Sequence, residues 1–265
     1  MRALLLIAVL LLSCDTRRER PHALSRPGHR SALATAGAAR QDDGPIRMEV
    51  LDPNAQPPVF VLRGSPRGSG RLVFLHGMCG HGLGYAQAFQ YAAAKKGTLI
   101  APQGDVSCDG PWARWSSDLK RLDDRIVETF HALGHPDPID GIAIMGISQG
   151  ATRAEALARK FPQRYTRLIS MAAPTALKLG DLRHLRAAVL MVGELDRRDL
   201  MVAGERALKG TGVPVTFMLI PEATHGAMGP TPEQTMGAAL EWLWNNSKPV
   251  GAAQSSSDSG QVDAD

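Results

Sequence analysis

The sequence is short of several things, and each shortage narrows its function. No apolar run approaches the roughly 20 residues that a membrane-spanning helix needs; the N-terminal stretch from Ala3 to Leu12 stops well before that. There are only three cysteines, Cys14, Cys79 and Cys108, so at most one intramolecular disulfide can form. A charge excess of one sign is also missing. The formal net charge is +4, and residues 46–247 carry 22 basic against 19 acidic side chains. That is a mixed surface without a basic stripe, which argues against nucleic acid as a partner. No internal repeat is present, and biased composition is confined to the two ends. What remains is a chain with 44% hydrophobic residues, enough to bury a core in one domain of ordinary size.

The ends read differently from the middle. "MRALLLIAVLLLSC" has one arginine, a short apolar run and a small residue before Cys14, the pattern of a secretory signal. Its "LLSC" resembles the lipobox of bacterial lipoproteins, which implies cleavage after residue 13 and lipidation of Cys14; the competing reading is a plain cleaved signal. Residues 14–45 are rich in Arg, Ala, Ser, Gly and Pro without apolar periodicity, as expected of a flexible tether. Its arginines at 17, 18, 20, 26 and 30 would lie beside anionic headgroups or simply be solvated. Residues 248–265 read as a polar, disordered tail. The expected location is the cell envelope.

Between residues 46 and 247, strand-like and helix-like runs alternate. "IRMEVLD" and "PPVFVLRG" predict a leading hairpin, "RLVFLHG" has the continuous apolar core of a strand buried on both faces, and "TLIAPQGD", "IDGIAIMG", "YTRLISMAA", "AAVLMVG" and "VPVTFMLI" predict further strands. Helices are expected over "GLGYAQAFQYAAAKKG", "SSDLKRLDDRIVETFHALG", "GATRAEALARKF", "RDLMVAGERALKG" and "TPEQTMGAALEWLWNN", with a short one at "DLRHLR". This alternation implies an α/β fold, a mostly parallel sheet with helices on both faces. Functional groups are then expected at the carboxyl ends of the strands.

The chemistry centres on "GISQG", residues 146–150, between a buried strand and a helix. G-x-S-x-G in that setting places a serine nucleophile, Ser148, on a crowded turn where only small neighbours fit. A serine needs a base, and the base needs an orienting carboxylate. Asp196 follows the strand "AAVLMVG", and His225 follows "VPVTFMLI" as the only histidine after the last strand. Asp199 and Glu194 compete with Asp196 for the acidic role. "LHGMCGHG" after an early strand matches an HG-x-x-G loop, which makes the Met78 and Gln149 amides the expected oxyanion donors. His76 and His81 fit no metal-ligand spacing, and Cys79 sits on no nucleophile turn. Trp112 and Trp115, in the loop "SCDGPWARWSSD", would either line a substrate pocket or pack that loop. Cys79 and Cys108 follow adjacent strands, a placement that allows a disulfide in an exported chain.

With these motifs in the order serine, acid, histidine, the body from about Ile46 to Asn246 resembles the α/β-hydrolase superfamily. Its compact plan is similar to the esterase, dienelactone-hydrolase and polyhydroxyalkanoate-depolymerase-like branch. The resemblance implies a serine hydrolase cleaving small or polymeric carboxylic esters, with no metal or organic cofactor. Only Pro174 to Ala187 separates the strand after the elbow helix from the acid-bearing strand, so no large cap is expected. Amide-bond hydrolysis and a non-catalytic surface-anchored binding protein are the rival readings.

Overall fold

A computed structural model of the protein describes residues 47–249 apart from 52–56, 66–67 and 181. The signal, Cys14, the tether up to residue 45 and residues 250–265 of the expected tail lie outside the described residues.

Strands β1 (Met48–Leu51), β2 (Val59–Leu62), β3 (Gly70–Leu75), β4 (Gly97–Pro102), β7 (Ile142–Ile147), β8 (Tyr165–Met171), β9 (Ala187–Gly193) and β10 (Val215–Ile220) form an 8-stranded sheet. Its order is β1-β2-β4-β3-β7-β8-β9-β10. The two pairings at the β1 edge are antiparallel and the remaining five are parallel. A separate two-stranded hairpin, β5 (Val106–Ser107) and β6 (Ala113–Arg114), lies in the tryptophan-bearing loop.

Period-two alternation sends neighbouring side chains to opposite faces. Val73 and Leu75 of β3 join a core with helices α3 (Leu119–Ala132), α4 (Gln149–Lys160) and α5 (Asp199–Lys209). Leu72 and Phe74 join the opposite core with α1 (Gly82–Ala88), α2 (Gln90–Lys96) and α6 (Pro232–Asn245). Both faces are therefore covered, which is why these strands read as continuous apolar runs.

One helix expected over residues 82–97 is two. The chain breaks at Phe89, whose ring is fully buried and packs edge-on against Phe74 at 5.4 Å. The new helix start is capped from outside: the Glu233 carboxylate accepts the Tyr91 and Ala92 N–H groups at 2.9 and 2.8 Å. "DLRHLR" forms a single 3-10 turn, Leu182–His184, in the short link between β8 and β9, and no large cap is inserted there. Lys248, the first residue of the expected tail, is held by Arg186: its N–H donates to the Arg186 carbonyl, and its own carbonyl accepts from Arg186 Nε.

Candidate active site

The carboxyl ends of β3, β7, β9 and β10 converge on Ser148. This residue joins β7 to α4 with φ 54 and ψ −119, outside the regions a non-glycine residue normally occupies. The flanking glycines are required by contact rather than by flexibility. A Cβ on Gly146 would stand 2.3 Å from the Gly150 carbonyl oxygen, and one on Gly150 would stand 2.0 Å from that of Leu75. The strain is held in place by the backbone, with the Ser148 N–H donating to Met171 O at 2.8 Å.

Ser148 Oγ lies 3.0 Å from His225 Nε2, and His225 Nδ1 lies 2.8 Å from Asp196 Oδ2. The carboxylate fixes the proton on Nδ1, which leaves Nε2 free to accept the serine proton. Asp196 is itself oriented by the Arg197 N–H, which donates to its other oxygen at 2.7 Å. The two competing acids are occupied elsewhere. Asp199 pairs with the Arg197 guanidinium at the surface. Glu194 accepts the N–H of Glu222, bracing the turn that leads to His225. Tyr85, unremarked in the sequence, steadies the same turn by donating its hydroxyl to Gly226 O at 2.8 Å.

Gln149 opens α4, so its N–H is one of the first-turn donors that a helix cannot satisfy internally. The 76–80 loop lies alongside: a Cβ on Gly77 would touch Ser148 Cβ at 3.5 Å. Met78 follows in that loop with its side chain exposed. His76 is fully buried. Its Nδ1 donates to Gly77 O at 2.7 Å and its Nε2 accepts the Gly104 N–H at 2.9 Å. Burial lowers its pKa to about 4, so the ring is neutral. Cys79 and Cys108 are joined, with Cα atoms 5.7 Å apart.

Trp115 packs its own loop and borders a small cavity with Asp105, Arg121 and Leu122, to which neither Ser148 nor His225 contributes. It is 2% exposed, lies against the His76 ring at 4.7 Å and donates its indole N–H to His76 O at 2.8 Å. Trp112 is 49% exposed and borders an open groove of about 440 Å³ with His81, Asp105 and Arg121. Neither Ser148 nor His225 contributes to that groove's lining. Sequence reading also passed over Gln103, because an isolated glutamine carries no pattern. Its buried carboxamide accepts the Gly82 N–H and donates to the Gly80 and Pro111 carbonyls, joining two of the loops around the site.

No protein-family model matches the sequence, and comparison with curated proteins gives no match either. Solved structures do match. FphF of Staphylococcus aureus, a fluorophosphonate-binding serine hydrolase, superposes with TM-score 0.58 at 14% identity, covering 76% of this chain and 99% of its own. An arylesterase gives TM-score 0.58 at 15% identity over 77% and 87%. A Bacillus cereus carboxylesterase gives 0.54 at 16% over 71% and 96%. The chain has the α/β-hydrolase fold. Within that fold Ser148, Asp196 and His225 stand at the strand ends where its catalytic groups are expected, in the order serine, acid, histidine. The short β8–β9 link leaves the fold without a large cap among the described residues.

Proposed function

We propose that the protein is a serine hydrolase of carboxylic esters. The hydrogen-bonded line from Asp196 through His225 to Ser148, at 2.8 and 3.0 Å on a strained elbow, carries this reading. Ser148 Oγ attacks the acyl carbon while His225 Nε2 takes its proton, and the Met78 and Gln149 amides hold the charge that builds on the carbonyl oxygen. His225 then returns the proton to the departing alkoxide as the ester C–O bond breaks, leaving an acyl-serine. Water attacks this intermediate, His225 takes a proton from it, and the acid leaves as Ser148 is reprotonated. The short β8–β9 link leaves an open site that would admit bulky or polymeric esters as well as small ones.

The test is a panel of esters and matched amides with the wild type and Ser148→Ala. Ester turnover and fluorophosphonate labelling are expected in the wild type, and a loss of at least about 10⁴-fold in the variant. Turnover of the amides at a rate approaching that of the matched esters would assign the peptidase alternative, and no labelling at all would leave a binding protein. For the N-terminus, the "LLSC" pattern supports export and lipidation of Cys14. Incorporation of a tagged fatty acid that disappears in Cys14→Ser is the expected result.

A further inference from the structure

The two expected oxyanion donors come from different parts of the chain, Met78 from the loop after β3 and Gln149 from the start of α4. An oxyanion hole works only if its donors are fixed relative to one another before charge develops. One residue is hydrogen-bonded to both segments. The Trp115 indole N–H donates to His76 O, two residues before Met78, at 2.8 Å. The Trp115 backbone N–H donates to Gln149 Oε1 at 3.0 Å, and its carbonyl accepts from Gln149 Nε2 at 3.4 Å. The Gln149 side chain is thus clamped to the backbone of the residue whose indole holds the opposite wall.

The surroundings keep this bridge rigid. Trp115 is buried among apolar side chains, including Val73, Ile100 and Leu122, and its ring lies on His76. The next residue is tied down as well, with Ser116 donating its N–H and hydroxyl to Asp105 at 2.8 and 2.6 Å.

We propose that Trp115, acting with the Gln149 carboxamide, is a positioning residue that sets the spacing of the two oxyanion donors. It touches no reacting atom. This inference rests on the hydrolase reading above. It predicts that loosening the bridge weakens the transition state and spares substrate binding, because the donors act on charge absent from the ground state.

The experiment compares wild type, Trp115→Phe and Gln149→Leu. Trp115→Phe removes the indole donor and keeps an aromatic ring; Gln149→Leu removes the clamp and keeps the Gln149 backbone N–H. For each variant kcat, KM, Tm and the inhibition constant of a trifluoromethyl ketone ester analogue are measured. The ketone forms a tetrahedral adduct whose oxyanion occupies the hole. The expected result is a fall in kcat of about tenfold or more in both variants, less than the 10²–10³ for deleting a donor outright. KM should stay within about twofold, and analogue affinity should fall in parallel with kcat/KM. Gln149→Glu, which keeps the acceptor for the Trp115 N–H, should recover part of the loss. Unchanged kcat and analogue affinity, with only Tm lowered, would overturn the proposal while leaving the hydrolase reading intact. An inert wild type would overturn both.

Discussion

Asp196 and Asp199 stand three positions apart, and only Asp196 faces the imidazole. Asp196→Asn keeps the shape but lets the histidine adopt the wrong tautomer, so kcat should fall by about 10⁴-fold. Asp199→Ala removes only a surface ion pair and should leave kcat within about threefold; ester kinetics on the two variants make the comparison. Glycines divide just as sharply. Gly150→Ala drives a methyl group against the Leu75 and His76 carbonyls and should abolish folding or lower Tm severely. Gly84 in α1 has nothing within 4 Å of its added Cβ, so Gly84→Ala should raise stability by about 0.5–1 kcal/mol in urea titration. Ser148 and His225 were legible because motif and strand order restrict them to one choice each. Asp196 had two near neighbours with the same carboxylate, and Trp115 had two equal readings. The hydrogen bonds that separate the acids, and the one that ties the Trp115 indole to its neighbouring loop, cross the chain.

The loop elements around the site are fastened by long-range links. The Cys79–Cys108 disulfide closes a separation of 29 residues, for which chain entropy predicts about 3–4 kcal/mol of stabilisation. Reduction, or paired replacement by serine, should lower the unfolding midpoint accordingly. The purified protein should show neither Cys79 nor Cys108 as a reactive thiol until it is reduced. The 82–96 region shows why an element can be misjudged from periodicity. Its alanines suit one continuous helix, yet burying the Phe89 ring against Phe74 and α2's capping by Glu233, 142 residues from Tyr91, favour a break. Neither partner lies within the window that a periodicity reading covers.

Across the whole molecule, two buried titratable groups pull stability in opposite directions with pH. Burial lowers the His76 pKa from 6.5 to about 4. Its contribution is complete above pH 6.5 and is lost as pH falls through 4. Burial raises the Glu155 pKa from 4.5 to about 7, against the hydroxyl that Ser170 donates at 2.6 Å. Its contribution is complete below pH 4.5 and is lost as pH rises through 7. Each amounts to about 3 kcal/mol over its window, so the wild type should change little between pH 4.5 and 6.5 on their account. Glu155→Gln should expose the histidine alone, with stability rising by about 3 kcal/mol between pH 4 and 6.5 in denaturant titrations. A profile as flat as the wild type's would contradict the assignment.

Local patterns by themselves determined the succession of strands and helices, the parallel sheet, and the serine, acid and histidine in their order along the chain. Those features follow from side-chain periodicity and turn chemistry, which act over a few residues. The tertiary structure decided which carboxylate meets His225, that the Trp115 indole ties its loop to His76, and that His76 is held neutral. Each of these depends on contacts between segments that the chain separates by 28 to 39 residues. Such contacts form only when burial of the two apolar faces of the sheet brings the strand ends together.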